Sequence, residues 1–123
     1  MELEMSSLPK TWILDLDGTI VKHNGYKIDG KDSLLPGAKE LLSQIRDEDY
    51  VIIVTSRKLE YKELTESFLQ ENNIRYNHII FEAPYGERIL INDNKPSGLK
   101  MAYAIDTDRD NIKAIRIKES PDL

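Results

Sequence analysis

Cysteine is absent from this chain of 123 residues. That removes disulfide scaffolds, thiolate catalysis and Cys-ligated zinc at once. Histidine occurs twice, as His23 and His78, too few for a His-rich metal site. Basic charge is also scarce: 17 Lys and Arg stand against 22 Asp and Glu, for a net charge of −5. No basic field is therefore available to grip nucleic acid. No stretch approaches the roughly 18 consecutive apolar residues of a membrane span. The opening M-E-L-E-M-S-S-L-P-K is acidic and lacks the apolar run of a signal peptide. Repeats, low-complexity tracts and linkers are missing too. The expectation is a soluble cytoplasmic protein of one domain, since this length supports one buried core and not two.

What the chain does contain is alternation. The short apolar run W-I-L precedes Asp15, and Y-V-I-I-V-T at 50–55 is β-branched and strand-like. N-H-I-I-F at 77–81 and R-I-L-I-N-D at 88–93 read as third and fourth strands. I-K-A-I-R-I at 112–117 alternates with period two, as a half-exposed edge strand does. Between them, Pro36 opens a segment with Ala38, Leu41, Leu42 and Ile45 on one helical face. Residues 58–72 carry Leu59, Leu64, Phe68 and Leu69 at helical spacing, and Leu99 to Ile105 reads as a short helix. The polar, glycine-marked stretch from Lys22 to Ser33 reads as a loop or small hairpin. The pattern predicts an α/β fold: a single Rossmann-like three-layer domain with a parallel sheet and helices on both faces. Residues 1–123 form that domain, with a core at about 10–118 and a small flap hairpin at about 20–34.

In such sheets ligands gather at the carboxyl ends of the strands. Three predicted strand ends are polar: Asp15 and Asp17, then Thr55, Ser56 and Arg57, then Asn92, Asp93 and Asn94. Carboxylates brought together repel one another unless a cation lies among them. Hard oxygen donors of this kind suit Mg²⁺, which commonly takes a substrate phosphate as a further ligand.

D-L-D-G-T at 15–19 resembles the first motif, D-x-D-x-[TV], of the haloacid dehalogenase (HAD) superfamily of phosphohydrolases. V-I-I-V ending in Thr55-Ser56-Arg57 resembles the second motif, and I-L-I-N-D-N-K-P the fourth. The resemblance spans roughly 11 to 105, with the motifs in family order. It implies a phosphoric monoester hydrolase in which Asp15 attacks phosphorus and forms an aspartyl-phosphate. Asp17 would then be the general acid and base. Mg²⁺ would be held by the Asp15 carboxylate, the Asp17 carbonyl and Asp93, with Asn92 orienting a metal-bound water. Gly18 would permit a tight turn, Thr19 would bond the loop, and Thr55 with the Ser56 N–H would hold a phosphoryl oxygen. The family's third-motif cation has no counterpart at its usual place. Lys95 takes that role in this reading, with Arg57 and Arg88 behind it, although Arg88 opens its predicted strand at the end away from the site.

The chain has no room for a large cap domain, so His23, Tyr26, Lys27 and Lys31 of the flap would select substrate. Capless relatives act on sugar-acid phosphates, heptose phosphates or macromolecules, and a neighbouring subunit of a homo-oligomer often completes the open site. The favoured substrate is a small organic phosphate monoester, such as a sugar phosphate or a surface-polysaccharide precursor. Two alternatives stand beside it. One is a non-hydrolytic phosphate-binding or phospho-acceptor module; the other is a polynucleotide-end phosphatase, which the acidic composition disfavours.

Overall fold

A computed structural model describes residues 1–123. Five strands and three helices occur in the order β1 (Glu2–Met5), β2 (Thr11–Asp15), α1 (Gly25–Ile28), α2 (Ala38–Leu42), β3 (Tyr50–Val54), α3 (Lys62–Glu71), β4 (His78–Ile80) and β5 (Arg116–Glu119). One 3₁₀ turn, Leu59–Tyr61, leads into α3. All strand pairs are parallel: β2, β3 and β4 form one sheet with β3 central, and β1 pairs with β5 in a second. The fold is Rossmann-like α/β, as the alternation of elements predicts.

The central sheet forms where β-branched and large apolar residues alternate faces. Val51 and Ile53 of β3 and Leu14 of β2 point into one core with Leu16, Ile20 and Val21. Ala38 and Leu41 of α2 and Leu69 of α3 close that core. On the other face Ile52 and Val54 are half-buried, and Ile13 and Ile80 remain exposed, so the covering is uneven. No helix is long and apolar enough to cross a membrane.

Several predicted elements take a different form. The flap leaves and returns side by side, with Val21 bridging Leu34 in antiparallel fashion and the Lys22 N–H donating to the Ser33 carbonyl (3.0 Å). Its tip is not a strand turn but the single helical turn α1, entered through Asn24 in a left-handed conformation (φ 55°). Residues 88–93 do not form the fourth strand, and 99–105 do not form a helix. Ile89 and Ile91 stand 84% and 89% exposed. An apolar β-branched run becomes a strand only where a neighbour pairs its backbone, and no strand pairs with this one. The final strand lies at 116–119 and pairs with β1, an element whose acidic E-L-E-M gave no strand signal.

Gln44 shows why β5 settles where it does. Its amide Nε2 donates to the Ile115 carbonyl and its Oε1 accepts from the Ile117 N–H, both at 2.7 Å, so one side chain serves the backbone as a partner strand would. Nearby, buried Asp49 accepts from the Lys10 N–H (2.9 Å), Trp12 Nε1 (2.9 Å) and the Arg46 N–H (3.0 Å). Burial alone would raise its carboxyl. The donors from Arg46, Lys10 and Trp12, with the Arg46 charge, outweigh burial and hold it below the usual carboxylate range. A group depressed on folding stabilises the fold fully above its unfolded value, about 4, and loses that contribution as pH falls through the folded value. Asp49→Ala is expected to cost about 3 kcal/mol at neutral pH. The difference in urea midpoint between variant and wild type should shrink below about pH 4; a constant difference would rule out the ionised carboxylate as the cause.

Candidate active site

The carboxyl ends of the central sheet lie level, with Asp15 paired to Val54 and Val54 to Ile80. After Asp15 the chain turns sharply. The Leu16 carbonyl accepts the N–H groups of Thr19, Ile20 and Val21 (3.2, 2.9 and 3.1 Å), while buried Leu16, Ile20 and Val21 pin the turn to the core. Gly18 sits at φ +82°, a conformation L side chains rarely adopt, and its N–H donates to the Val21 carbonyl (2.7 Å). A turn from the far end of the chain closes over it: the Asp110 N–H donates to the Gly18 carbonyl (2.8 Å), and Asp110 Oδ1 accepts from the His23 N–H (2.7 Å).

This turn presents the two aspartates differently. Asp15 Oδ2 accepts from Thr19 Oγ1 and its Oδ1 from Arg88 Nη1, both at 2.8 Å. The Asp15 and Arg88 side chains are each 40% exposed, so Asp15 faces solvent with a cation at hand. Asp17 is less exposed, at 16%, and is gripped by Arg57, whose Nε and Nη2 donate to its two oxygens at 3.0 Å each.

Arg57 is the hub of the site. Its Nη1 and Nη2 also donate to the two oxygens of Asp32 (3.0 and 2.6 Å), and Nη1 donates to Thr65 Oγ1 (2.9 Å). Tyr26 covers the guanidinium, with Cζ 4.0 Å from the ring centroid. A guanidinium has five N–H donors, and all five are engaged here. Burial would lower the Arg57 pKa, but the hydrogen bonds and charges of Asp32 and Asp17 raise it further above its already high value. Burial and the nearby Asp17 charge push the Tyr26 phenol up, against the opposing effects of Lys27 and Arg57. Lys27 Nζ lies 5.6 Å from the Tyr26 ring centroid and 5.9 Å from that of Tyr61, the two rings meeting edge to face at 4.8 Å.

The structure therefore brings together some of the predicted residues and separates others. Asp15, Asp17, Gly18, Thr19, Thr55, Arg57, His23, Tyr26 and Lys27 lie together at the carboxyl ends of β2 and β3. Thr55 is buried, and its Oγ1 accepts from the Arg57 N–H (3.1 Å); Ser56 Oγ donates to the Pro84 carbonyl (3.4 Å). Arg57, expected to face phosphate, has every donor turned to protein. Arg88, expected to point away, reaches Asp15, because residues 88–93 are not held in a strand. For the same reason Asn92, Asp93 and Lys95 stay exposed: Asn92 Nδ2 donates to the Asp93 carbonyl (3.1 Å), and Lys95 takes part in a turn through its backbone. No three acidic or histidine side chains gather as a metal site, so the three-carboxylate cluster is not assembled. The part of it that fits a hard cation is the Asp15 carboxylate with the Asp17 carbonyl, an oxygen that accepts no hydrogen bond.

Sequence reasoning missed Asp32, Thr65 and Arg109. Arg109 Cγ lies 3.2 Å from where a Cβ on Gly18 would be. Asp32 was hidden in a polar stretch that reads as exposed. Its one signal was an acid near the end of a loop that must return to the sheet.

No family model and no curated protein matches the chain. Solved structures do. A chain of the Pnkp1/Rnl/Hen1 complex is 30% identical, with a TM-score of 0.52, over 68% of this chain and 31% of that one. A chain in the structure of the Pnkp1/Rnl/Hen1 RNA repair complex is likewise 30% identical with a TM-score of 0.52, over 69% of this chain and 29% of that one. The present chain thus spans under a third of the length of either.

Proposed function

We propose that this chain is a phosphatase that removes a terminal phosphate from a polynucleotide end. The observation that carries the chemistry is the division of labour between Asp15, half-exposed beside Arg88, and Asp17, held edge-on by Arg57. The likeness to chains of an RNA repair complex favours a polynucleotide over a sugar phosphate. It also outweighs the argument from net charge, because an end-binding site needs only a local cation and not a basic face. The open surroundings of Asp15 suit a macromolecular end.

In this reading an Asp15 oxygen attacks phosphorus and the bond to the ester oxygen breaks. The leaving alkoxide takes the proton carried by Asp17. Water then attacks the aspartyl-phosphate and gives its proton back to Asp17, the bond to Asp15 breaks, and inorganic phosphate departs. Arg88 is free to exchange Asp15 for a phosphoryl oxygen, since one of its donors is engaged with Asp15 and the side chain is accessible. The Asp15 carboxylate and Asp17 carbonyl would hold Mg²⁺, which supplies neutralisation of phosphate charge. Asp93 joins them only if the 88–93 segment moves.

The test is release of phosphate from RNA oligonucleotides bearing a 5′- or a 3′-phosphate, compared with a panel of sugar phosphates, all with Mg²⁺. Turnover of at least one oligonucleotide end with kcat/KM roughly tenfold or more above the best sugar phosphate is expected, a preference equivalent to about 1.4 kcal/mol. The reverse preference would return the small-molecule reading to first place, and no release from any ester would remove the phosphatase reading.

A further inference from the structure

Asp32 is the acid in this region that the chemistry above does not use. Its side chain is 1% exposed, like that of Arg57, whereas Asp17 is 16% exposed. Both Asp32 oxygens end on the Arg57 guanidinium, so this carboxylate serves one group alone. The guanidinium is fixed in its plane by Asp32, Thr65 and Asp17 and is covered on a face by Tyr26. A buried ion pair is poor evidence of stabilisation, because desolvation consumes most of the Coulombic gain. Two acids on one buried arginine make better sense as orientation. Asp17 is the member that reaches solvent, and both its oxygens are held by the same guanidinium that Asp32 fixes.

We propose that Asp32 is a positioning residue: with both its oxygens on the guanidinium it fixes the plane of Arg57, and Arg57 in turn holds the Asp17 carboxyl edge in line with the leaving oxygen. The inference rests on the phosphatase reading. It assigns to the return leg of the flap a part in proton transfer and not in substrate selection. Without the Asp32 carboxylate, two of the five guanidinium hydrogen bonds are lost and the plane of Arg57 is no longer fixed, so the Asp17 carboxyl it grips is held in a worse place. The consequence depends on the leaving group. An alkoxide needs the proton; a p-nitrophenolate departs with little help.

The experiment measures kcat for Asp32→Asn and wild type on two substrates, p-nitrophenyl phosphate and the best alkyl phosphate ester of the wild type, whether an oligonucleotide end or a sugar phosphate. General acid catalysis typically contributes 10²–10⁴-fold. The expected loss is therefore on the order of 10²-fold or more on the alkyl ester and about tenfold or less on the aryl ester. Equal losses on both, or no loss, would overturn the proposal and leave Asp32 a structural residue. If Asp32→Asn does not fold, Thr65→Val is read on the same pair of substrates; it removes one guanidinium contact without removing a charge, and a smaller loss skewed the same way is expected. A wild type that hydrolyses neither ester would instead defeat the phosphatase reading itself.

Discussion

Arg57→Ala is expected to lose about 3–5 kcal/mol of folding stability, the range measured when one partner of a buried charge pair is deleted. Asp32, whose side chain is 1% exposed, would be left charged with no counter-ion, and Thr65 and Tyr26 would face the hole where the guanidinium lay. Small domains are stable by about 5–15 kcal/mol in total, so the variant should sit near the edge of folding. Urea denaturation reads the effect directly. Removing Asp32 as well should recover part of the loss, because the uncompensated carboxylate goes with it. A single-variant loss under about 1 kcal/mol would mean that water reaches the pair and that the site is looser than its geometry.

Asp15→Asn should give the opposite pattern. Asp15 and Arg88 are 40% exposed, and an ion pair at that exposure is worth about 1 kcal/mol or less, so the urea midpoint should barely move. Turnover should fall by roughly 10⁴-fold or more, the scale on which loss of an essential nucleophile is felt. No phosphoenzyme should form, and a rapid-quench assay with labelled substrate would show this. Residual turnover within tenfold of the wild type would remove Asp15 from the nucleophile's role. Taken as a pair, the two variants separate what holds the site from what reacts in it.

The sequence was most legible where local pattern and tertiary demand agree. The run V-I-I-V could be little else than a buried strand, and β3 is the central strand of its sheet. The spacing of Phe68 and Leu69 marked α3, which spans Lys62–Glu71 against the 58–72 expected. Between 81 and 115 the local pattern and the structure part, because β propensity describes a side chain's fit to a pleated surface and cannot supply the neighbouring strand. R-I-L-I-N-D has the composition of a strand, yet its isoleucines lie in water. The site shows the same division. D-L-D-G-T announced its turn through Gly18 and its Asp15–Thr19 bond, both local. The links of Arg57 to Asp32 and of Arg88 to Asp15 cross 25 and 73 positions, and nothing in the local pattern carries such distances. The place of Arg57 after the second strand points to phosphate, yet its donors turn inward.

The pairing of β1 with β5 has a consequence for the order in which the molecule assembles. The Met1 amino group meets the Ala114 carbonyl across 113 positions, whereas the β2–β3–β4 sheet is closed by much shorter crossovers, through α1 and α2 from β2 to β3 and through α3 from β3 to β4. Closing a longer loop costs more chain entropy, and contacts of large sequence separation slow folding. The terminal pair should therefore zip last and fray first. In hydrogen exchange its amides should open well before those of Val51 and Ile53, which makes it the clock hand of refolding and not the nucleus.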